Sequence, residues 1–379
     1  MKQREIILDM GKAAFFVLAV KVLASSSSLI PWNSFVDNLC IVFAVGVMLV
    51  KVCTMTLTLG RLLSLGAVSL VVLYTCVALG QYDLMVSLVA ICLLIDEDID
   101  AYISMVFRMQ SVVVVGHVAV AILMSLAGAE EMFWRVSGGR LRFNGGLSHA
   151  NVLSGYITSC MMMFAWVRFN QITRNQWGWL SLVTVLSYAV SRSRTGLMLN
   201  VLLLLLVYFA QKDSQLLRRS IKPILFLLFP TLAAFVFWAL KQYLNNSSVA
   251  VFVDDLLTGR IKYAAYAYTR SGTTWLPRYL EYAEKGVVSW TPEWRLNTFA
   301  FDNLYSFIFV QMGMIWIVLF TVAVAVLCLK SNFKIRVFIL VWVLFAMTEV
   351  RGLNGFKFFP ILLFSTLFSR EGTGDEPDG

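Results

Sequence analysis

Asp302 stands directly before a strongly apolar run and is followed at once by Asn303. A carboxylate in that place does one of two things. It caps the helix that begins there, or it serves as general base for a sugar hydroxyl while guanidinium groups neutralise the charge developing on a departing diphosphate. A second group with proton chemistry is His149, in the stretch Arg142-Phe143-Asn144-Gly145-Gly146-Leu147-Ser148-His149-Ala150-Asn151. Two glycines there let the backbone turn sharply, and His149 and Asn151 fall on the first turn of the next apolar segment, near its positive end. Ligand contact, proton handling and plain capping are all open to His149. The other histidine, His117, sits inside an apolar run and reads as a buried, neutral packing residue.

Cations are spaced to receive an anion. Ser191-Arg192-Ser193-Arg194-Thr195 joins two apolar segments, and the whole stretch from Trp179 to Ala210 falls short of the roughly 40 residues that two full membrane crossings need. The turn is therefore expected below the membrane surface, where a charge is costly unless paired or facing a wet cavity. No acid lies within the hairpin, so Arg192 and Arg194 either meet an anion from elsewhere, such as a ligand diphosphate, or snorkel to lipid headgroups. Further on, Leu257-Thr258-Gly259-Arg260 lies in a polar insert near residues 241–302. Aromatics run through it from Tyr263 by Tyr279 to Trp290 and Trp294, interspersed with Arg260, Lys262, Arg270, Arg278, Lys285 and Arg295. Rings stack on the apolar faces of sugars and Arg forks onto phosphate oxygens. Such a composition suits a ligand that is part sugar and part anion, and equally a folded extracytoplasmic cap that binds nothing.

Other chemistries lack their signatures. No HExxH or Cys/His cluster occurs, and the one dense acid run, Asp96-Glu97-Asp98-Ile99-Asp100, is expected on the side away from the arginines as a solvated loop. Its Asp-x-Asp spacing would suit a divalent cation if it lay on the other side. Gly-Leu-Ser-His at 146–149 is not a nucleophile elbow, and Thr258-Gly259-Arg260 has no Lys and follows no strand, so it is no nucleotide phosphate loop. The six cysteines all lie in or at the ends of apolar segments without a CxxC pair, as small core residues do. No metal and no cofactor are called for.

These groups have to be positioned by membrane helices. With 59% hydrophobic and only 14% charged residues and a mean hydropathy of +0.77, the chain cannot build an ordinary water-facing surface. It reads as an all-α polytopic membrane protein, with long uninterrupted apolar runs rather than the short alternating segments of a barrel. Segments near 6–24, 35–51, 62–79, 84–95, 111–127, 150–167, 179–191, 195–210, 222–240, 303–329, 335–348 and 356–368 give about twelve crossings. The start Met1-Lys2-Gln3-Arg4-Glu5 reads as leading into a retained first helix. Residues 1–127 form the N-terminal helices, 128–240 the central ones with Arg-bearing outer connections, and 241–302 one large extracytoplasmic loop. Residues 303–368 complete the bundle, and 369–379 form a disordered cytoplasmic tail.

With a cytoplasmic N-terminus, Lys51, Arg61, Arg108, Arg168, Arg174, Lys212, Arg218, Arg219, Lys222, Lys330, Lys334 and Arg336 all fall inside, as topology favours. Arg135, Arg140, Arg142, Arg192, Arg194, Lys241, Arg351 and Lys357 then fall outside in short connections, where topology selects against them. Their presence there asks for a reason. Glu349 and Arg351, at the outer end of one helix, either help hold a ligand or pair with each other.

The order of these stretches resembles the polysaccharide polymerase and O-antigen ligase superfamily, the Wzy-type polymerases, over roughly residues 140–315. Arg142-Phe143-Asn144-Gly145 through His149-Ala150-Asn151 is similar to the family's Gly-x-Phe-x-His-Pro-Asn stretch, with Ala150 in place of proline. Ser191 to Gly196 is similar to its Ser-Arg-(Thr/Gly) helix start, and Thr258-Gly259-Arg260 to its Ser/Thr-Gly-Arg. Asp302-Asn303, with Ser306 and Gly313, looks like the (His/Asp)-Asn…Gly motif that closes the loop. Asp302 stands where ligases carry His, which favours a polymerase. The resemblance implies a bacterial inner-membrane glycosyltransferase with its site facing outward. An undecaprenyl-diphosphate-linked glycan would be donor and a hydroxyl of a second lipid-linked unit acceptor, with inversion and without metal. It further implies that Arg142, Arg192, Arg194 and Arg260 hold diphosphate and that Asp302 or His149 takes the proton. Asn151, Asn303, Arg278, Tyr279, Trp290, Trp294, Glu349 and Arg351 would orient substrate. Expected partners are the lipid-linked glycans, the bilayer and a chain-length regulator, with no role for nucleic acid. A ligase handing finished polymer to another acceptor, and a transporter or flippase of lipid-linked sugars, are the alternatives.

Overall fold

A computed structural model describes residues 2–129, 133–137, 140–212, 215–256, 259–280, 301 and 303–370. The fold is 78% helical, as the long apolar runs require. In chain order the helices are α1 (Lys2–Ala24), α2 (Ser34–Thr54), α3 (Leu59–Leu79), α4 (Asp83–Leu94), α5 (Ile99–Leu126), α6 (Ala150–Val167), α7 (Arg174–Ser191), α8 (Arg194–Gln211), α9 (Gln215–Leu244), α10 (Ser248–Leu256), α11 (Arg260–Ser271), α12 (Leu304–Phe307), α13 (Met314–Lys330) and α14 (Phe333–Phe345). Two tighter helical stretches, Val350–Leu353 and Phe359–Leu367, end the described chain.

Six of these helices, α2, α3, α5, α6, α8 and α9, are long and apolar enough to cross a membrane, whereas α4 and α13 are apolar but shorter. Their outward faces carry apolar side chains a water-facing helix would not show: on α5, Val112, Val115, Leu123 and Leu126 are all exposed. The expectation of about twelve crossings is thus met in part. Each expected segment falls on a helical element, but several are too short or too polar to qualify by length and composition alone.

The bundle is centred on α14, whose residues from Val337 to Val343 are buried on every side, as a stretch apolar all round must be, while Arg336 before them is buried with its Nε donating to Cys328 O at 3.0 Å. Aromatic rings fill the space around it: Phe229 of α9 stacks on Trp342 at 6.0 Å, Phe320 lies 5.3 Å from the same ring, and Phe345 stacks on Phe358 at 3.7 Å.

Two local departures from the all-helical expectation matter for the site. Trp134–Ser137 and Arg140–Phe143 pair as an antiparallel hairpin, β1 and β2, with Ser137 opposite Arg140. The two residues between them in sequence, Gly138-Gly139, lie outside the described residues. Second, the expected continuous span 303–329 is broken: α12 runs into a widened turn at Ile308–Met312, and Gly313 adopts φ +96° before α13 begins. Chain 272–280 lies against the break and supplies its hydrogen bonds. Thr274 N donates to Phe309 O and Met314 N to Thr274 O, at 3.3 and 2.8 Å. A Cβ at Gly313 would come within 2.6 Å of the Trp275 carbonyl, so both the positive φ and the close approach demand glycine.

Within the expected large loop, the described part is α10, α11 and this extended strap. Leu257, Thr258, Lys285, Trp290, Trp294, Arg295 and Asp302 lie outside the described residues.

Candidate functional site

Residues 25–26 that end α1 meet the start of α6, the start of α8 and the segment following α14 around a cavity of about 240 Å³. The loop after β2 helps build it. Gly145 and Gly146 take φ +61° and +77°, turning the chain so that Ser148 N donates to Ser26 O and Ser28 N to Gly146 O, both at 2.9 Å. Ser26 and Ser148 are thereby brought to the cavity wall. His117 clips the same loop from α5: its Nδ1 donates to Val113 O at 2.9 Å, which leaves Nε2 to accept from Ser27 Oγ at 2.8 Å. The expected packing histidine also has this polar task.

Two glycines set how closely the walls approach. A Cβ at Gly196 of α8 would lie 2.0 Å from Ser154 Oγ of α6, and one at Gly155 would lie 3.2 Å from Arg351 Nη1. Both helices begin at the cavity. His149 caps α6, its Nδ1 accepting from Asn151 N at 3.1 Å, and Ser193 Oγ accepts from Gly196 N at 3.3 Å. Two helix N-termini turn the positive ends of their dipoles toward the site, which makes it attractive to anions.

Polar contacts run in a closed circuit around the opening. Arg142 Nε donates to Ser191 O at 2.8 Å, and its Nη2 donates to Asn151 Oδ1. Arg351 Nη1 donates to Asn151 O at 2.8 Å. Arg351 Nε lies 3.7 Å from Glu349 Oε2, and Arg260 Nη2 lies 4.0 Å from Glu349 Oε1. Arg260 Nη2 then donates to Thr195 Oγ1 at 3.1 Å, returning to the turn where the circuit began. Arg260 is held there by the start of α11. Asp254 Oδ1 accepts from Ile261 N and Lys262 N at 2.8 and 2.9 Å, and burial pushes that carboxyl up while these two N–H bonds pull it back. Lys357 completes the wall, itself 3.1 Å from Asp83.

Inside the circuit, hydrogen-bonding capacity is left over. Ser154 Oγ and Thr158 Oγ1, one turn apart on α6 and each 2% exposed, line the cavity without a hydrogen-bond partner. Gly196 lies on the opposing wall, and Asn200, one turn deeper on α8, is fully buried with both amide atoms unpartnered. Buried polar groups are nearly always satisfied, so a wall of unsatisfied hydroxyls beside a group of guanidinium ions is a place built to receive something polar.

The expected site residues divide. Asn151, Glu349 and Arg351 line the cavity, and Arg142 and Arg260 stand behind the wall, bonded to the lining residues Asn151 and Thr195. Arg192 and Arg194 are exposed and point away, while Ser193 and Thr195 between them form wall. The left-handed backbone at Arg192, φ +53°, ends α7 and sets this alternation. His149 is exposed. Asn303 is buried, its Oδ1 accepting from Ser306 N at 3.2 Å, and Leu304 N donates to Ala346 O beside the cavity residue Phe345. Arg278 donates to Val310 O and Gly272 O at 3.1 and 2.7 Å, bracing the broken helix, and burial lowers the pKa of its guanidinium below the ordinary value. Tyr279 is exposed. Missed by sequence reasoning were Ser154, Gly155 and Thr158, whereas Gly196 and Lys357 were singled out without a role in the site. A small-residue pattern on α6 was the only signal for the first three.

The acid run 96–100 sits at the far end of α1, near Ile7 and Leu8. Its acids are engaged rather than freely solvated. Glu97 Oε1 is 2.7 Å from Lys51 Nζ, and Asp98 caps α5. Asp100 accepts from Trp166 Nε1 at 2.5 Å and from Lys334 at 3.0 Å. Asp96 Oδ1 accepts from Arg370 N at 2.7 Å, so Ser369 and Arg370, expected to begin the disordered tail, are tied down.

Compared with protein-family models, curated proteins and solved structures, the chain matches none of them.

Proposed function

We propose that the chain is a membrane glycosyltransferase that joins polyprenyl-diphosphate-linked oligosaccharide units into a longer glycan, with the cavity as its active site. One observation carries this. Stretches far apart in sequence, around residues 148–158, 193–199 and 345–357, converge on one cavity lined by Arg351, Lys357 and unsatisfied hydroxyls at two helix N-termini, with Arg142 and Arg260 bonded to its wall. A diphosphate answers the cations and the helix ends, and sugar hydroxyls answer Ser154 and Thr158.

Orientation follows from charge. Arg168, Arg174, Lys212, Lys334 and Arg336 at the acid-loop end support a cytoplasmic place for it under the positive-inside rule, with the cavity facing outward. All twelve expected segments then act as crossings or as re-entrant pieces buried within the protein. An apolar slot of about 100 Å³ between α3, α4, α13 and the final helical stretch lies behind the loop that presents Arg351 and Lys357. Ser87 of that slot accepts from Gly355 N at 2.9 Å and donates to Leu353 O at 2.6 Å. The slot has room for about one isoprene unit of a polyprenyl chain, the rest of which would lie in the bilayer.

The reaction asked of the site is displacement at an anomeric carbon, with the cations stabilising charge on the leaving diphosphate. Purified protein in detergent, given lipid-linked oligosaccharides, is expected to lengthen the glycan, read as a ladder on a gel. Glycans of unchanged length would refute the proposal. A transporter gives that result, and a ligase lengthens only a different acceptor.

A further inference from the structure

Glu349 is the one carboxylate among the described residues lining the cavity. It sits between two guanidinium groups, 4.0 Å from Arg260 and 3.7 Å from Arg351. Each arginine also has a neutral anchor at hydrogen-bonding distance, Thr195 Oγ1 for Arg260 and Asn151 O for Arg351. The anchors fix where the cations stand and Glu349 neutralises them, so the carboxylate occupies the electrostatic role that a bound diphosphate would fill.

Resting on the glycosyl-transfer reading above, we infer that Glu349 exchanges its arginine partners with the donor's diphosphate and then accepts the acceptor hydroxyl's proton. A carboxylate flanked by two guanidinium ions is a weak base, because opposite charges favour its ionised form. When diphosphate oxygens take Arg260 and Arg351, that restraint is lifted within a largely buried site, and the carboxylate becomes a better proton acceptor. The acceptor O–H bond then breaks and its proton moves to Glu349. The oxygen's electron pair forms the new bond to the anomeric carbon. The bond from that carbon to the diphosphate breaks, and its pair leaves on the diphosphate oxygen, where the guanidinium ions and Lys357 neutralise it. Once diphosphate departs, the returning arginines drive the proton off Glu349 to water. Proton acceptance is thus coupled to the presence of donor, which protects the site from idle chemistry. His149 and Asp302 are the bases implied by the resemblance. The first is exposed and committed through Nδ1 to capping α6, whereas Glu349 already faces the cavity.

The test uses purified full-length protein and two readouts. Glu349→Gln, nearly isosteric, is expected to bind inorganic diphosphate about tenfold more tightly than wild type, since a competing charge near 4 Å is gone. The same variant is expected to lose roughly 10²–10⁴-fold in glycan extension. Glu349→Asp should restore wild-type diphosphate affinity and part of the extension, which a folding defect would not do. Glu349→Gln extending glycan at the wild-type rate, or binding diphosphate no more tightly, would overturn the inference while leaving the glycosyl-transfer reading intact. Failure of the wild-type protein itself to extend any lipid-linked oligosaccharide would overturn that reading, and proton transfer to Glu349 with it.

Discussion

Both ends of this helical bundle carry a cluster of charged side chains, and the two clusters are built differently. At the acid-loop end, Lys51 meets Glu97 at 2.7 Å and also donates to Leu93 O at 2.6 Å, while Asp100 takes hydrogen bonds from Trp166 and Lys334. The Lys51–Glu97 and Lys334–Asp100 pairs are closed at hydrogen-bonding distance, while Arg370 Nε and Asp96 Oδ2 stand 3.8 Å apart. At the cavity end the pairs with Glu349 stand at 3.7 and 4.0 Å, and hydroxyls a turn below have no partner. A buried ion pair held tightly is a fixture, since removing one partner strands the other. Buried hydroxyls without a partner beside such charges keep a structure ready for a polar ligand, at some cost in stability. The comparison separates a joint from a site by how completely its hydrogen bonds are made, even though both contain acids and bases.

That contrast can be broken or sharpened by substitution. The largest expected effect is Arg260→Ala, which should lower glycan extension by roughly 10²–10³-fold, as loss of one preorganised charge-stabilising group does, with the melting temperature little changed. Lys51→Ala should do the reverse. Stranding Glu97 costs about 3–5 kcal/mol of stability, read by thermal unfolding, while activity per folded molecule is retained. Equal losses of activity in the two variants would abolish the distinction.

Gly196→Ala puts a methyl where Ser154 Oγ now lies. It is expected to cost about 1–3 kcal/mol by overpacking and roughly tenfold in extension by moving the α6 wall. Finer still, Ser154→Ala should stabilise by roughly 1 kcal/mol, because a buried hydroxyl without a partner is removed, and should slow extension. Ser87→Ala should destabilise by about 1–3 kcal/mol, because Leu353 O and Gly355 N lose a made bond. The smallest effect is on pH dependence. Asp254 has its carboxyl raised by burial, so its contribution to stability is full below the ordinary carboxylate value and is lost as pH rises through the folded-state value. Asp254→Asn keeps the acceptor for Ile261 and Lys262 and should flatten that acidic limb in thermal unfolding.

Much of the architecture could be read from composition and run length, because apolar segments must form helices wherever their backbone groups lack water. Segment 150–167 was placed to the residue, and α9 was located despite Pro223 and Pro230 within it. The hairpin was missed because two four-residue strands around Gly138-Gly139 are short beside the helical signal. The break at Gly313 was missed because its hydrogen bonds come from residues 274–278, some forty positions earlier. At the site, Arg142 and Arg351 were legible as cations in short connections where topology disfavours them, Arg260 from the cationic, aromatic insert, and Asn151 and Glu349 from the stretch they lie in and from the resemblance. Arg192 and Arg194 satisfied the same criterion, yet they point outward. Side-chain direction alternates along a tight turn, and one left-handed residue decides which set faces in. The hydroxyls of Ser154 and Thr158 become meaningful only when helices distant in sequence are brought side by side.

The most direct measurement is a cryo-electron-microscopy map of the protein with a non-transferable lipid-linked diphosphate sugar. Anion density bridging Arg260, Arg351 and Lys357, with Glu349 displaced from both guanidinium groups, is the result expected. Density at Arg192 and Arg194, or beside Lys51 and Arg370 at the opposite end, would contradict it.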